Sequence, residues 1–180
     1  MKIRLNTKYI HSKGLLENLC LAIKIALDLK IDKKIIIKTI PKIKFQARID
    51  YIKEGKLIKK IKKNEKIIID GCHSEVSAKN LADYLKTLKQ PIYGVWGMTK
   101  NKEPDRFIKQ FKGLFKKIIA VPIENENYSI SNKLLLKIAE KNNYRAEISN
   151  NLEQALKKIT SRENKIICIE GADPGYDWIF

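Results

Sequence analysis

Residues 66–97 read KIIIDGCHSEVSAKNLADYLKTLKQPIYGVWG, and the fold turns on how this stretch is divided. The isoleucine run before Asp70 is short and β-branched, which predicts a strand. Asp70-Gly71 ends it. Ser74 is an N-cap residue type, and Glu75 stands in the first helical turn where the helix dipole favours an acid. SEVSAKNLADYLKTLK is then expected as a helix and PIYGVWG as a second strand. The stretch is a strand–helix–strand unit with an acid, a glycine and a histidine at its first junction.

The same alternation continues on the carboxyl side. PDRFIKQFKGLF, SNKLLLKIAEKNN and NNLEQALKKIT are expected as helices; KKIIAVPI, YRAEIS and NKIICIEG are expected as strands. Five Ile-rich strands alternating with four helices at short spacing predict right-handed βαβ units, hence an α/β fold with a mostly parallel sheet covered on both faces. On the amino side, LLENLCLAIKIALDL (residues 15–29) places Leu15, Leu19, Ala22, Ile23, Ala26 and Leu27 at helical spacing, and KKIIIKTI suits a second short helix. Pro41 interrupts this helical opening. KFQARIDYIK and KLIKKI, on either side of Glu54-Gly55, read as a β-hairpin.

The chain has 180 residues, 44% apolar and 32% charged, a size and composition that suit one main domain with a real core. Its apolar runs are short and broken by lysine, so no membrane segment is expected. MKIRLNTKYIHSKG lacks the apolar stretch of a secretory signal, and export is not expected. Cys20, Cys72 and Cys168 form no C-x-x-C pair, which favours reduced thiols in a cytoplasmic protein and no metal cage. The net charge of +17 raises a nucleic-acid partner or another acidic one. Against that, the lysines are dispersed, arginine is scarce and no aromatic ladder accompanies them. A compositional bias rich in lysine, isoleucine and asparagine gives the same count. A non-catalytic basic binding module remains an alternative resting on charge alone.

Parallel sheets bind ligands beyond the carboxyl ends of their strands. Asp70, His73 and the loop from Gly97 to Pro104 are therefore expected to share one rim. Two readings of DGCHSE stay open: a strand-to-helix turn with a good cap, or an acid and an imidazole facing a phosphate-bearing ligand. GADPG (171–175) reads as a surface turn more readily than as a phosphate loop.

The segment resembles the D-G-A-H-N-P motif of the folylpolyglutamate synthase and dihydrofolate synthase family, within the Mur ligase superfamily. LLENLCLAI resembles that family's H-Q-x-x-N-A-x-x-A-[IL] helix, with Asn18 and Ala22 in place. KFQARIDYIKEGKL resembles its P-G-R-L-Q segment, and GMTKNKEPDRFI its G-x-x-x-D-K-D loop, with Gly97 and Lys102 retained. The carboxyl-terminal segments follow in the family's order. Departures are plain: Gly14-Leu15 replaces His-Gln, Ile43-Lys44 stands at the Gly-Arg pair, Ser74-Glu75 replaces Asn-Pro, and Asn101 and Glu103 flank Lys102 in place of aspartates. The tail EGADPGYDWIF does not resemble the family's ending.

The resemblance implies an ATP-dependent amide ligase in which a folate or pteroate carboxylate is phosphorylated and attacked by the amine of glutamate, a step of folate biosynthesis and one-carbon metabolism. It implies residues 1–40 as a helical remnant of the central ligase domain and 41–180 as the carboxyl-terminal Rossmann-like domain. It also implies Asp70 and His73 as catalytic and nucleotide-facing residues, with Lys44 and Lys102 near phosphate or carboxylate. Lysine at 44 keeps the charge and loses the bidentate fork of arginine. The P-loop, G-x-x-x-x-G-K-[ST], is missing: the one Gly-Lys pair, Gly55-Lys56, is followed by Leu57. ATP and Mg2+ serve the intact family, and neither is expected to bind this chain tightly by itself. The chain is expected either as a truncated, inactive remnant or as one subunit of a split enzyme completed by a separately encoded P-loop part. Without that part, the apolar helix 15–29 is expected to promote self-association.

Overall fold

The computed structural model describes residues 12–43 and 45–171. Contacts divide the chain into two compact units, with the division between Gln46 and Ala47.

In the first unit, α1 (Lys13–Asp28) starts at Ser12, whose side chain accepts from the Leu15 N–H. α2 (Lys33–Thr39) starts at Asp32, whose carboxylate accepts from the Lys34 N–H at 2.7 Å. Each cap answers one of the orphan donors of a helix start. Leu19, Ile36 and Ile40 form a small core, with Ile23, Ala26, Leu27 and Ile43 packed against it. Leu16, Leu21 and Ile25 of the first helix, with Ile35 and Ile37 of the second, stay exposed. The apolar stripe of α1 is thus wider than the core it serves.

The second unit is a six-stranded sheet in the order β1-β2-β6-β3-β4-β5. Its strands are β1 (Asp50–Ile52), β2 (Glu65–Asp70), β3 (Ile92–Trp96), β4 (Phe115–Ala120), β5 (Ala146–Ile148) and β6 (Lys165–Glu170). The expected five parallel strands are β2 to β6, all parallel to their neighbours; β1 adds an antiparallel edge on β2. The connecting helices are α3 (Glu75–Leu85), α4 (Pro104–Lys109), α5 (Asn132–Lys141) and α6 (Leu152–Ile159).

The chain steps outward from β2 through β3 and β4 to β5, then returns to insert β6 between β2 and β3. Crossovers of one hand put the returning helix on the opposite face. Ala78, Leu81, Phe107, Phe111, Leu135 and Ala139 of α3, α4, α5 and the turn after α4 accordingly pack in one core with Ile68, Trp96 and Cys168. Leu152, Ala155, Leu156 and Ile159 of α6 pack in the other, with Ile67, Ile69, Val95 and Ile167. Alternate residues of the same strands feed the two cores, as period-two side chains must.

One expectation is corrected. KLIKKI forms no strand: Ile58–Lys60 is a 3₁₀ turn, and the antiparallel partner of β1 is β2. Leu57 is buried in the α6-side core, with Ile58 and Ile61 packed against it. Positions i, i+1 and i+4 on one side suit a helical turn, not a strand whose side chains alternate. The turn at Glu54-Gly55 is present, with Gly55 at φ 93°.

Candidate functional site

The carboxyl ends of β2, β6 and β3 lie side by side and build the rim from three short pieces of chain. The first is the turn after β2. Asp70 is 5% exposed, and its oxygens are engaged by the chain itself: Oδ2 accepts from the Ile49 N–H at 2.8 Å and Oδ1 from the Cys72 N–H at 2.9 Å. Burial pushes the Asp70 carboxyl up, while those two N–H donors and the charge of Arg48 pull it down; burial prevails. As placed, Asp70 braces the turn.

His73 is exposed on that turn, and its Nδ1 lies 3.0 Å from the Gly71 carbonyl oxygen. If Nδ1 carries the proton and donates to Gly71, Nε2 is left to face outward. α3 then starts in a capping box, with Ser74 and Ser77 each bonding the other's backbone. The side chains of Ser74 and Ser77 thus occupy donors that a phosphate cradle would need.

The second piece lies within KFQARIDYIK, and its backbone and its contact with the turn after β2 were not legible in the sequence. Ala47 and Ile49 both stand at positive φ, 49° and 51°, a conformation costly for alanine and more so for a β-branched residue. The strain is held by bonds to the site: the Ala47 carbonyl accepts from the Gly71 N–H at 2.9 Å, and the Ile49 N–H donates to Asp70. Between them, Arg48 is exposed and turns its guanidinium back to the Ala47 carbonyl at 2.8 Å. Strained backbone of this kind concentrates at functional sites.

The third piece is the loop after β3. The Gly97 N–H donates to the Glu170 carbonyl at 3.3 Å, and the Lys102 N–H to the Thr99 carbonyl at 3.2 Å. Lys102 is half-buried on this loop. Among the described residues no hydrogen bond or ion pair joins it to Asp70 or His73. Lys44 lies outside the described residues. Glu170 ends β6 between the turn after β2 and this loop; it is 1% exposed, and among the described residues neither carboxyl oxygen has a hydrogen-bond partner.

No group of three or more His, Cys, Asp or Glu among the described residues is arranged to hold a metal ion, and no helix is long and apolar enough to cross a membrane. A cleft of about 580 Å³ lies on the α6 side, between Lys56, Lys59 and Lys60 and the start of α6. Lys60 is paired there with Glu153 at 2.9 Å. None of the rim residues lines this cleft.

No family model matches the sequence, and no curated protein matches it. Solved structures do share its fold. A folylpolyglutamate synthase of Mycobacterium tuberculosis complexed with ADP superposes with TM-score 0.77 and 16% identity, over 90% of this chain and 38% of that one. E. coli FolC in complex with DHPP and ADP gives TM-score 0.68 and 18% identity, over 86% and 35%. UDP-N-acetylmuramate-alanine ligase MurC of Thermotoga maritima gives 0.65 and 16%, over 92% and 36%. The expected mostly parallel α/β architecture is therefore shared with these three proteins. This chain spans little more than a third of the length of each of these proteins.

Proposed function

We propose that this chain supplies the carboxyl-terminal, Mur-ligase-like domain of a folylpolyglutamate-synthase-type ligase, and that it performs no ligation without a P-loop partner. The supporting observation is a sheet shared with folylpolyglutamate synthases over 90% of the chain, with a D-G-x-H turn at the carboxyl end of β2. In such a ligase ATP with Mg2+ supplies the phosphoryl group that activates a folate or pteroate carboxylate toward the amine of glutamate.

The rim fits the flank of an anionic ligand better than its phosphate cradle. The one glycine-lysine pair, Gly55-Lys56, has neither the upstream glycine nor the Ser/Thr of a P-loop, and the start of α3 is occupied by its own capping box. What the chain offers is an outward imidazole at His73, a guanidinium at Arg48 and an ammonium at Lys102. His73 binds or passes a proton at Nε2. Lys102 places a positive charge on the neighbouring loop. Asp70 holds the His73 turn and the Arg48 segment in register through its two backbone bonds.

Beside Ile43-Lys44, a second candidate for the family's Gly-Arg pair is Ala47-Arg48. Ala47 occupies a conformation that favours glycine, and the next residue carries the bidentate fork that lysine lacks. The partner is a separately encoded chain bearing the P-loop, and the assembled substrates are a folate and glutamate.

Purified chain, alone and mixed with a P-loop-bearing amino-terminal part of a folylpolyglutamate synthase, tests this by ATP- and glutamate-dependent ligation to folate and to pteroate. No turnover is expected alone and measurable turnover after mixing, falling at least about tenfold in His73→Ala, the scale of a general acid–base or positioning group. Ligation by the chain alone overturns the need for a partner. Mixed activity indifferent to both His73→Ala and Arg48→Ala overturns the site.

A further inference from the structure

Glu170 has no place in the reading above, and its surroundings are unusual for a carboxyl group. It pairs in register with Asp70 on one side and Trp96 on the other. Alternation along the strands puts Glu170 on the α3–α5 face together with Cys168, Asp70, Gly94 and Trp96. Its Oε1 lies 3.5 Å from where a Cβ on Gly94 would stand, in a space also bounded by Phe115 and Ile118. A Cβ at Gly94 would touch the carboxyl oxygen in ordinary van der Waals contact, so the carboxyl is enclosed by packed apolar neighbours.

Among the described residues, the titratable groups facing it are Asp70 from β2, Cys72 from the turn after β2, Cys168 from its own strand and Tyr144 from the approach to β5. None of these is a cation, and the charge of Arg48 acts on Asp70. A neutral carboxylic acid tolerates such a site at modest cost, whereas an isolated carboxylate there is very costly.

We propose that Glu170 is a proton-held latch: as a buried neutral acid it keeps the carboxyl ends of β2, β6 and β3 closed, and loss of its proton opens that end of the sheet to water. Burial first, and the negative charge of Asp70 second, push the Glu170 carboxyl well above the usual carboxylate range. Because the acid binds its proton more tightly in the folded protein than in the unfolded one, its contribution is complete below the usual carboxylate range. It is lost as pH rises through the folded value.

The opening is local for a structural reason. Glu170 is the last residue of β6, and the bond from Gly97 to its carbonyl is long at 3.3 Å. The other end of the strand is pinned, because the Lys165 ammonium donates to the Ile159 carbonyl at 2.7 Å and lies 3.7 Å from Glu65. Freeing Cys168 to Glu170 exposes that end of the strand while the ladder at residues 165–167 stays paired, as sub-global opening does elsewhere in proteins. The latch rests on the fold alone and stands or falls separately from the ligase reading.

The protein carries its own reporters: Cys72 and Cys168 are buried and Cys20 is exposed. Labelling of each thiol by excess reagent is followed by mass spectrometry from mildly acidic to mildly alkaline pH. Cys20 gives the reference slope, at most about tenfold per pH unit, set by thiolate formation. Cys72 and Cys168 are expected to rise more steeply, by up to about a further tenfold per unit as the latch releases one proton. In Glu170→Gln that excess is expected to vanish. Slopes parallel to that of Cys20, or an excess that survives in Glu170→Gln, overturn the latch. A second measurement needs no variant. The infrared band of a protonated carboxyl group is expected at neutral pH, lost on raising pH in step with the labelling excess and retained in Asp70→Asn. Its absence at neutral pH overturns the proposal.

Discussion

β2 and β6 meet at both ends of their ladder, and the two meetings are opposite in character. At the amino end Glu65 stands beside Lys165, with side chains 0% and 2% exposed and the charged atoms 3.7 Å apart. Every remaining demand is met: Glu65 accepts from the Lys62 and Ser161 N–H groups at 2.8 Å and from the Thr160 hydroxyl. Lys165 donates to Ile159 and sits over the Tyr93 ring at 4.4 Å. At the carboxyl end two acids, Asp70 and Glu170, stand in register, one braced by N–H groups and the other with no hydrogen-bond partner among the described residues. Buried charges persist only where geometry satisfies them completely. One end of the ladder therefore closes the domain, while the other holds polar groups under tension where ligand sites of parallel sheets lie.

The contrast is broken most severely at its satisfied end. Lys165→Met strands Glu65 as an uncompensated buried charge and is expected to cost about 3–5 kcal/mol in denaturant unfolding. Adding Glu65→Leu to it is expected to recover most of that loss; equal stability of the single and double variants would show that the pair is not the cause. At the other end, Glu170→Leu removes an unsatisfied buried acid and is expected to gain about 1–3 kcal/mol at pH 7. The gain should grow as pH rises, because only the parent protein then loses proton-linked stability. A loss at every pH would mean that the carboxyl has a partner after all.

Asp70→Asn keeps one acceptor and turns an amide donor toward a backbone N–H, so a cost of about 1–2 kcal/mol is expected, read from the same unfolding midpoints. A neutral result would remove Asp70 as the brace of the rim. The smallest change sharpens the contrast. Ala47→Gly relieves a left-handed backbone and is expected to stabilise by less than about 1 kcal/mol, measurable as a small rise in Tm. A clear fall would show that the alanine methyl is worth more than the strain it bears.

Much of the architecture was legible because it depends on local patterns. Runs such as KIIID and NKIICIEG are too short for helices and too apolar for a half-exposed strand, and Ser74 caps its helix as expected, with Ser131 and Asn151 capping two more. The helix expected over PDRFIKQFKGLF stops at Lys109, and the chain turns through Gly113 at φ 78° into β4. The site was legible only where it is contiguous. Asp70 and His73 are three residues apart and carry a motif; Ala47, Arg48 and Ile49 reach them through a fold-dependent contact, without the glycine that advertises a positive φ. Glu170 was hidden for a related reason. An acid at the end of an apolar strand reads as the first solvated residue, and no neighbour in sequence shows that it turns inward over Gly94. Likewise, Glu65 and Lys165 are a hundred positions apart, so only the sheet order reveals them as a pair.

Gly171 enters beside Gly97 so closely that a Cβ on Gly171 would stand 2.5 Å from the Gly97 carbonyl oxygen and 2.9 Å from the Trp96 ring. At Gly113, also at positive φ, no atom lies within 4 Å of where a Cβ would stand, so substitution there has a strained but open exit. At position 171 every exit drives a side chain into backbone and indole. The codon there is thus a gauge of whether the lineage still selects for a folded product.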